Sequence, residues 1–140
     1  MLNLTSFIRF HAKRTPDRTA IVYGDTRVSY AMLQHRIETT ARMLAGRGVG
    51  PNDVVAVVMK NSLAFIELAF ATSHIGAVFG RKTATSHIGA VFLPINFRLA
   101  NDEVRYIVEH AGAKLVLADT ELTQSVDGLP EVILVDEEAQ

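Results

Sequence analysis

One stretch of the chain carries the residue types of a phosphate-binding loop. Residues 76–83, Gly-Ala-Val-Phe-Gly-Arg-Lys-Thr, combine two glycines with a lysine and a threonine. Backbone N–H groups and a lysine in such a loop cradle phosphates, but the motif requires the order G-x-x-x-x-G-K-[ST]. Here three residues separate the glycines, and Arg81 stands between Gly80 and Lys82. We therefore interpret the match as accidental.

A second glycine-rich stretch, Gly46–Gly50, resembles part of a dinucleotide-binding fingerprint. That fingerprint follows a strand and opens a helix. These glycines instead follow a predicted helix and precede Pro51, which favours a helix C-cap and turn.

The titratable residues do not form a ligand set in the sequence. His11, His35 and His110 belong to separate predicted helices, and His74 and His87 occupy the same position of a repeat. No His-Glu-x-x-His spacing occurs, so we expect no metal site. The chain has no cysteine, which excludes disulfides, thiolate catalysis and Cys-based zinc sites.

Three aspartates lie next to predicted strand ends, where α/β enzymes often place function. They are Asp53, Asp119 and Asp136, and solvation in a loop is the commoner role for such residues. We assign no catalytic, cofactor-binding or metal-binding residue in this chain.

Composition indicates one globular domain. The chain has 140 residues, of which 49% are hydrophobic and 21% charged, with a net charge of −1. This balance gives no general electrostatic reason to expect nucleic acid or anionic lipid as a partner. Arg9 interrupts the apolar stretch that a signal peptide would need, and we expect a cytoplasmic protein.

The 20 residues between Lys60 and Arg81 contain one charge, Glu67. Their length is close to that of a membrane span. An acidic residue near the middle of a span is costly, and several polar residues accompany it. We therefore predict a buried helix followed by a buried strand, and no membrane span.

The periodicity along the chain predicts an α/β fold with an open, mostly parallel sheet and flanking helices. A hairpin is predicted around Gly24-Asp25, between strands Ala20–Tyr23 and Thr26–Ser29. The predicted buried strands are Val54–Met59, Ala90–Ile95, Lys114–Ala118 and Val132–Val135. Four helices are predicted. The first is capped by Thr5 and runs to about Arg14, and the second is capped by Ser29 and ends before Gly46–Pro51. The third begins at about Ser62, and the fourth runs from about Asn101 to Ala111. The sequence stops just after the fourth of these strands, which favours a truncated domain.

A perfect repeat interrupts this pattern, because Ala71–Phe79 (ATSHIGAVF) recurs at Ala84–Phe92. The offset of 13 residues would leave a helix about 140° out of phase and would swap the faces of a strand. We therefore predict that the helix enters through the first copy and the strand leaves through the second. The 13 extra residues, including Arg81 and Lys82, would then form a loop.

Read without the extra residues, the chain resembles the N-terminal portion of the AMP-forming acyl-CoA synthetases, within the adenylate-forming superfamily. Ser29-Tyr30-Ala31-Met32-Leu33 is similar to the first core motif of that family, and residues 89–96, Gly-Ala-Val-Phe-Leu-Pro-Ile-Asn, to the second. Further matching segments lie at Thr15–Ile21, Gly48–Ala56, Asp102–Val104 and Ala111–Lys114. The resemblance implies that residues 1–140 are a partial N-terminal subdomain of an AMP-dependent ligase, with the duplication within residues 71–92.

The resemblance implies a fatty acyl- or aryl-CoA synthetase whose intact form uses ATP, Mg²⁺, coenzyme A and a carboxylic acid. The family's phosphate loop and catalytic lysine have no counterpart in these 140 residues. We therefore expect an inactive fragment that holds no cofactor and is able to self-associate. One alternative is a stand-alone, non-catalytic binding or interaction module derived from this fold. The last alternative is an unrelated Rossmann-like or flavodoxin-like nucleotide-binding domain, disfavoured because no phosphate loop follows any strand.

Overall fold

The computed structural model describes residues 4–78 and 89–136, with the backbone alone at 76–78. Its helices are α1 (Leu4–Arg14), α2 (Tyr30–Gly46), α3 (Leu63–Val78) and α4 (Asn101–Ala111), with a short 3₁₀ segment at Thr120–Val126. Its strands are β1 (Thr19–Tyr23), β2 (Thr26–Ser29), β3 (Val54–Val58), β4 (Val91–Pro94), β5 (Leu115–Asp119) and β6 (Val132–Val135). The predicted α/β class and the alternation of strands and helices are confirmed; the 3₁₀ segment was not predicted.

The main sheet has the strand order β4-β3-β5-β6, and all its neighbouring strands are parallel. The central strands β3 and β5 are buried almost throughout, as their continuous apolar runs predict. The expectation of burial is wrong for β4 and β6, which are the edge strands and are only half-buried. Among the described strands, each edge strand has a sheet neighbour on one side alone, so its side chains receive less cover.

Alternating side chains of β3 and β5 build two separate cores. Val55 and Val57 face α2 and α3, whereas Ala56 and Val58 face α4. Successive residues of a strand point to opposite faces, so one apolar run serves both layers. The sheet therefore lies between a layer of three helices, α1 to α3, and a second layer formed by α4 and the 3₁₀ segment.

The local signals at helix ends are mostly confirmed. The Ser29 hydroxyl accepts a hydrogen bond from the Met32 N–H at 3.2 Å and caps α2. The turn that ends α2 places Gly48 at φ +86°, a conformation that favours glycine. The prediction for Thr5 is wrong, because Thr5 lies inside α1 and is buried against His74 of α3.

Glu67, the single acid in the long apolar stretch, is 6% exposed on α3. Its carboxylate pairs with the Arg36 guanidinium of α2, which compensates the charge at a helix–helix contact. Burial raises the pKa of Glu67, and Arg36 opposes that rise. None of the helices described in residues 4–78 and 89–136 combines the length and the apolar composition of a membrane span.

The repeat is divided between the two elements that flank it. Helix α3 runs through the first copy as far as Val78, and β4 begins at Val91 in the second copy. Gly76-Ala77-Val78 is therefore helical, while the identical Gly89-Ala90-Val91 leads into a strand. This division is the predicted one. The expected loop around Arg81 and Lys82 lies outside the described residues.

Candidate functional site

A polar cleft lies at the carboxyl ends of β3, β5 and β6, with a volume of about 240 Å³. In open parallel sheets, the loops that follow the strands meet at this edge and form the usual place for a ligand. The lining residues are Lys60 and Asn61 after β3, Asp119, Thr120 and Glu121 at the end of β5, Val135 and Asp136 at the end of β6, and Tyr23 from the hairpin.

Hydrogen bonds between neighbouring strand ends hold this cleft together. The Asp119 carboxylate, 9% exposed, accepts a bond from the Lys60 backbone N–H at 2.8 Å. The Thr120 hydroxyl donates to the Val135 carbonyl at 3.2 Å. The two bonds join β5 to β3 on one side and to β6 on the other, so the rim is fixed by the order of the sheet.

The charge of the cleft is predominantly negative. Lys60 Nζ lies 2.6 Å from Glu121 Oε2 and is therefore already paired, while Asp119 and Asp136 add two further carboxylates. No group of three or more His, Cys, Asp or Glu side chains is placed to hold a metal ion within the part of the chain that the structure describes. The arrangement suits polar recognition and disfavours a polyphosphate, because like charges repel at close range.

Two of the three aspartates selected from the sequence line this cleft, and the third does not. Asp53 lies at the opposite end of the strands, directly before β3. There its carboxylate accepts hydrogen bonds from the Gly50 N–H at 2.8 Å and from Lys114 Nζ at 3.1 Å. The bond from Gly50, together with Lys114, lowers the pKa of Asp53 although desolvation opposes the change. Asp53 thus ties a turn to the start of β5, which is a structural role.

Sequence reasoning missed six of the eight lining residues, and four of these are polar residues that follow β3 or β5: Lys60, Asn61, Thr120 and Glu121. A positional signal was available, because each follows a predicted buried strand by one to three residues. Their residue types alone gave no indication, since all four are common in solvated loops.

Of the histidines within residues 4–78 and 89–136, three make contacts in different surroundings. His11 stacks on Tyr30 with ring centroids 4.9 Å apart, and His110 stacks on Tyr106 at 5.6 Å. His74 is buried, with Nδ1 3.4 Å from Thr5 Oγ1. Each has a local packing role of its own.

Comparison with known proteins identifies the family to which this architecture belongs. The family model described as AMP-binding enzyme matches residues 8–79, about half of the chain. The chain is 32% identical to a 2-succinylbenzoate–CoA ligase of Geobacillus sp. over 96% of its own length and 25% of that protein. It is also 32% identical to tyrocidine synthase 2 of Brevibacillus parabrevis, over 90% of this chain and 3% of that protein.

The solved structures agree with the sequence relatives. A Mycobacterium tuberculosis fatty acyl CoA synthetase superposes with a TM-score of 0.80 at 27% identity, covering 98% of this chain and 27% of that one. The chain thus spans about a quarter of the length of the CoA ligases that it matches. The family match, the shared identity and the shared parallel sheet together show that the chain belongs to the AMP-binding enzyme family and corresponds to the N-terminal part of its acid–CoA ligases and adenylation domains.

Proposed function

We propose that this chain is the N-terminal piece of an AMP-forming carboxylic acid–CoA ligase acting on a fatty or aryl acid, and that alone it does not activate a carboxylate. Its relatives include ligases named for an aryl acid, 2-succinylbenzoate, and for a fatty acyl group. Because the described residues form a four-stranded parallel sheet, we infer that the role of this chain in an intact ligase is to build the first half-sheet on which a substrate site is assembled.

The negative charge of the strand-end cleft supports the second part of the proposal, that this chain alone does not activate a carboxylate. The family implies ATP and Mg²⁺, yet among the described residues the cleft presents Asp119, Glu121 and Asp136 against one cation, Lys60, which is paired with Glu121. A triphosphate requires donors and cations that offset its charge. The described residues therefore do not fit ATP, and we assign no step of adenylation to them.

ATP–pyrophosphate exchange tests this proposal directly. We expect no carboxylate-dependent exchange by the purified chain with any fatty or aromatic acid, because the described lining of its cleft lacks the groups that neutralise a triphosphate. The Mycobacterium tuberculosis fatty acyl CoA synthetase serves as positive control, and a mock purification from the same host controls for contaminating ligases. Exchange above the mock level would contradict the proposal.

A chimera tests the structural role. Residues 1–136 of this chain, without Ala71–Thr83, would replace the matching quarter of the 2-succinylbenzoate–CoA ligase. We expect the chimera to catalyse ATP–pyrophosphate exchange with 2-succinylbenzoate, because the sheet and its register would be complete. A folded chimera that binds neither ATP nor the acid would instead favour the stand-alone module derived from this fold.

A further inference from the structure

The outer face of α1 exposes large apolar side chains that the fold does not use. Leu4, Phe7 and Phe10 are 59%, 61% and 55% exposed. Their spacing of three residues places them along one side of the helix. A surface helix of a globular domain ordinarily turns such residues inward, so this face is unusual for its position.

The inner face of α1 is already occupied, so its orientation is fixed. Thr5 is buried with its hydroxyl 3.4 Å from the His74 ring, and Ile8 packs against the core formed with α2 and α3. Rotating the helix to bury Phe7 and Phe10 would expose these residues. The outer face therefore stays outward in the folded chain.

The same helix carries cations and no acid. Arg9, Lys13 and Arg14 are exposed, and the sequence of α1 contains no Asp or Glu. Arg9 and Glu38 of α2 line the same small cavity, so Lys13 and Arg14 carry the excess positive charge. Arg14 lies over the Phe10 ring, 5.9 Å from its centroid, which places a cation and an aromatic ring on one surface.

We propose that the outer face of α1, defined by Leu4, Phe7, Phe10, Lys13 and Arg14, docks on an anionic lipid surface. A helix that combines exposed Phe and Leu with Lys and Arg lies in the membrane interface, its apolar side chains below the headgroups and its cations among them. The net charge of −1 for the whole chain hides this local arrangement.

The positive charge on the outer face of α1 favours an anionic lipid surface over a second copy of this chain as the binding partner. A symmetric dimer places the same patch of both subunits in contact. If the two helices paired in parallel, Lys13 and Arg14 of each subunit would approach those of the other, and in either orientation α1 offers no acid to pair with them. An anionic lipid surface carries the opposite charge, and because it is flat, a single protruding helix can lie against it.

Fluorescence provides the first test, because the chain contains no tryptophan. Phe10→Trp places a single indole on the face, and Tyr106→Trp places one on α4, where Tyr106 is 67% exposed. With vesicles of phosphatidylcholine and phosphatidylglycerol, we expect a blue shift and quenching by brominated lipid for Phe10→Trp alone. Equal responses of the two indoles, or no response of either, would overturn the proposal.

Vesicle co-sedimentation provides the second test and separates charge from apolar contact. Lys13→Gln with Arg14→Gln should lower partitioning to anionic vesicles about thirtyfold, from the attraction of two cations to the surface. Phe7→Ser with Phe10→Ser should reduce it to the level of pure phosphatidylcholine. The matched control, Arg42→Gln on α2 with Arg47→Gln at its C-cap, both at exposed sites, removes the same charge elsewhere and should leave binding unchanged.

Three outcomes decide the matter. Anionic-lipid binding that both α1 variants weaken and the α2 control retains supports the proposal. If the α2 control weakened vesicle binding equally, the effect would come from net charge alone and the proposal would be overturned. A wild-type chain that ignores vesicles, but whose oligomer is dissociated by Phe7→Ser with Phe10→Ser, would assign the face to a second copy.

Discussion

His74 and His87 have identical neighbours in sequence, because each belongs to a copy of ATSHIGAVF. His74 lies on α3, is 6% exposed and has its Nδ1 3.4 Å from the Thr5 hydroxyl. Desolvation lowers the pKa of His74, Arg9 lowers it further, and Glu38 partly opposes the change. The chemistry of this residue therefore comes from its packing against α1 and α2.

The lowered pKa of His74 predicts a loss of stability in weak acid. The unfolded chain takes up a proton near the ordinary histidine pKa, while the folded chain resists protonation until lower pH. The free energy of unfolding should therefore fall as pH decreases from above about 6.5 towards the lowered value. His74→Gln should make this fall smaller, as measured by urea unfolding at about pH 7.5 and about pH 5.5.

His35→Gln, at an exposed site of α2, is the matched control and should leave the fall unchanged. An equal loss of stability in wild type and His74→Gln would show that another group causes it.

At the scale of elements, two glycines at equivalent repeat positions lie in different backbone environments. A Cβ on Gly89 would lie 2.6 Å from the Thr72 carbonyl oxygen and 2.8 Å from that of Ser73. The chain entering β4 therefore passes against the backbone of α3, an approach that only glycine permits. Gly76 instead lies within α3, where glycine is a poor helix former.

We expect Gly89→Ala to destabilise the protein by about 1–3 kcal/mol, because backbone atoms must move to admit the methyl group. Gly76→Ala should be neutral or stabilise by up to about 1 kcal/mol through helix propensity. Thermal unfolding of the pair measures the difference, and a larger loss for Gly76→Ala would show that the copies are used in another way.

The duplication itself leads to a further prediction for the segment between α3 and β4. Deleting Ala71–Thr83 yields the same polypeptide as deleting Gly80–Phe92, so the test does not depend on which copy is extra. Loop length costs only about 0.6 kcal/mol per doubling, but two identical segments compete for one site. We expect the deletion to raise thermal stability or soluble yield, and trypsin to cut the parent first near Arg81 or Lys82.

The point deletion of Gly24, in the hairpin turn, controls for shortening the chain as such and should not stabilise. If the 13-residue deletion lowers stability, or residues 80–83 resist trypsin as well as the core does, the insert is an integrated part of the fold.

At the scale of the whole molecule, both edge strands of the described sheet are open to pairing with other chains. Strands β4 and β6 have a sheet partner on one side only, and Val91 and Leu134 on them are exposed. Unprotected strand edges pair readily with other chains. The chain also spans only about a quarter of its CoA-ligase relatives.

We therefore expect the isolated chain to self-associate, as measured by size-exclusion chromatography with light scattering. Leu134→Lys should reduce association by placing a charge on the β6 edge, whereas Tyr106→Lys, on exposed α4, should not. A sharp monomer peak with a cooperative thermal transition would favour the stand-alone module.

The sequence by itself determined the elements whose signals are local. The span of α4 and of β6, the Ser29 cap, the turn at Gly48 and the buried run of β3 follow from periodicity, capping and glycine placement. Those signals depend on neighbours a few residues away, which the sequence shows directly. The order of motifs along the chain likewise identified the family.

Only the tertiary structure decided which strands form the edges, that Arg36 compensates Glu67 across two helices, and that Asp119 and Asp136 line one cleft while Asp53 lies at the other end of the strands. The repeat separates the two kinds of information. Because different segments flank its copies, the sequence predicted that the first copy continues a helix and the second leads into a strand. The close approach of Gly89 to the carbonyl oxygens of Thr72 and Ser73 joins residues far apart in the chain, so only the tertiary structure reveals it.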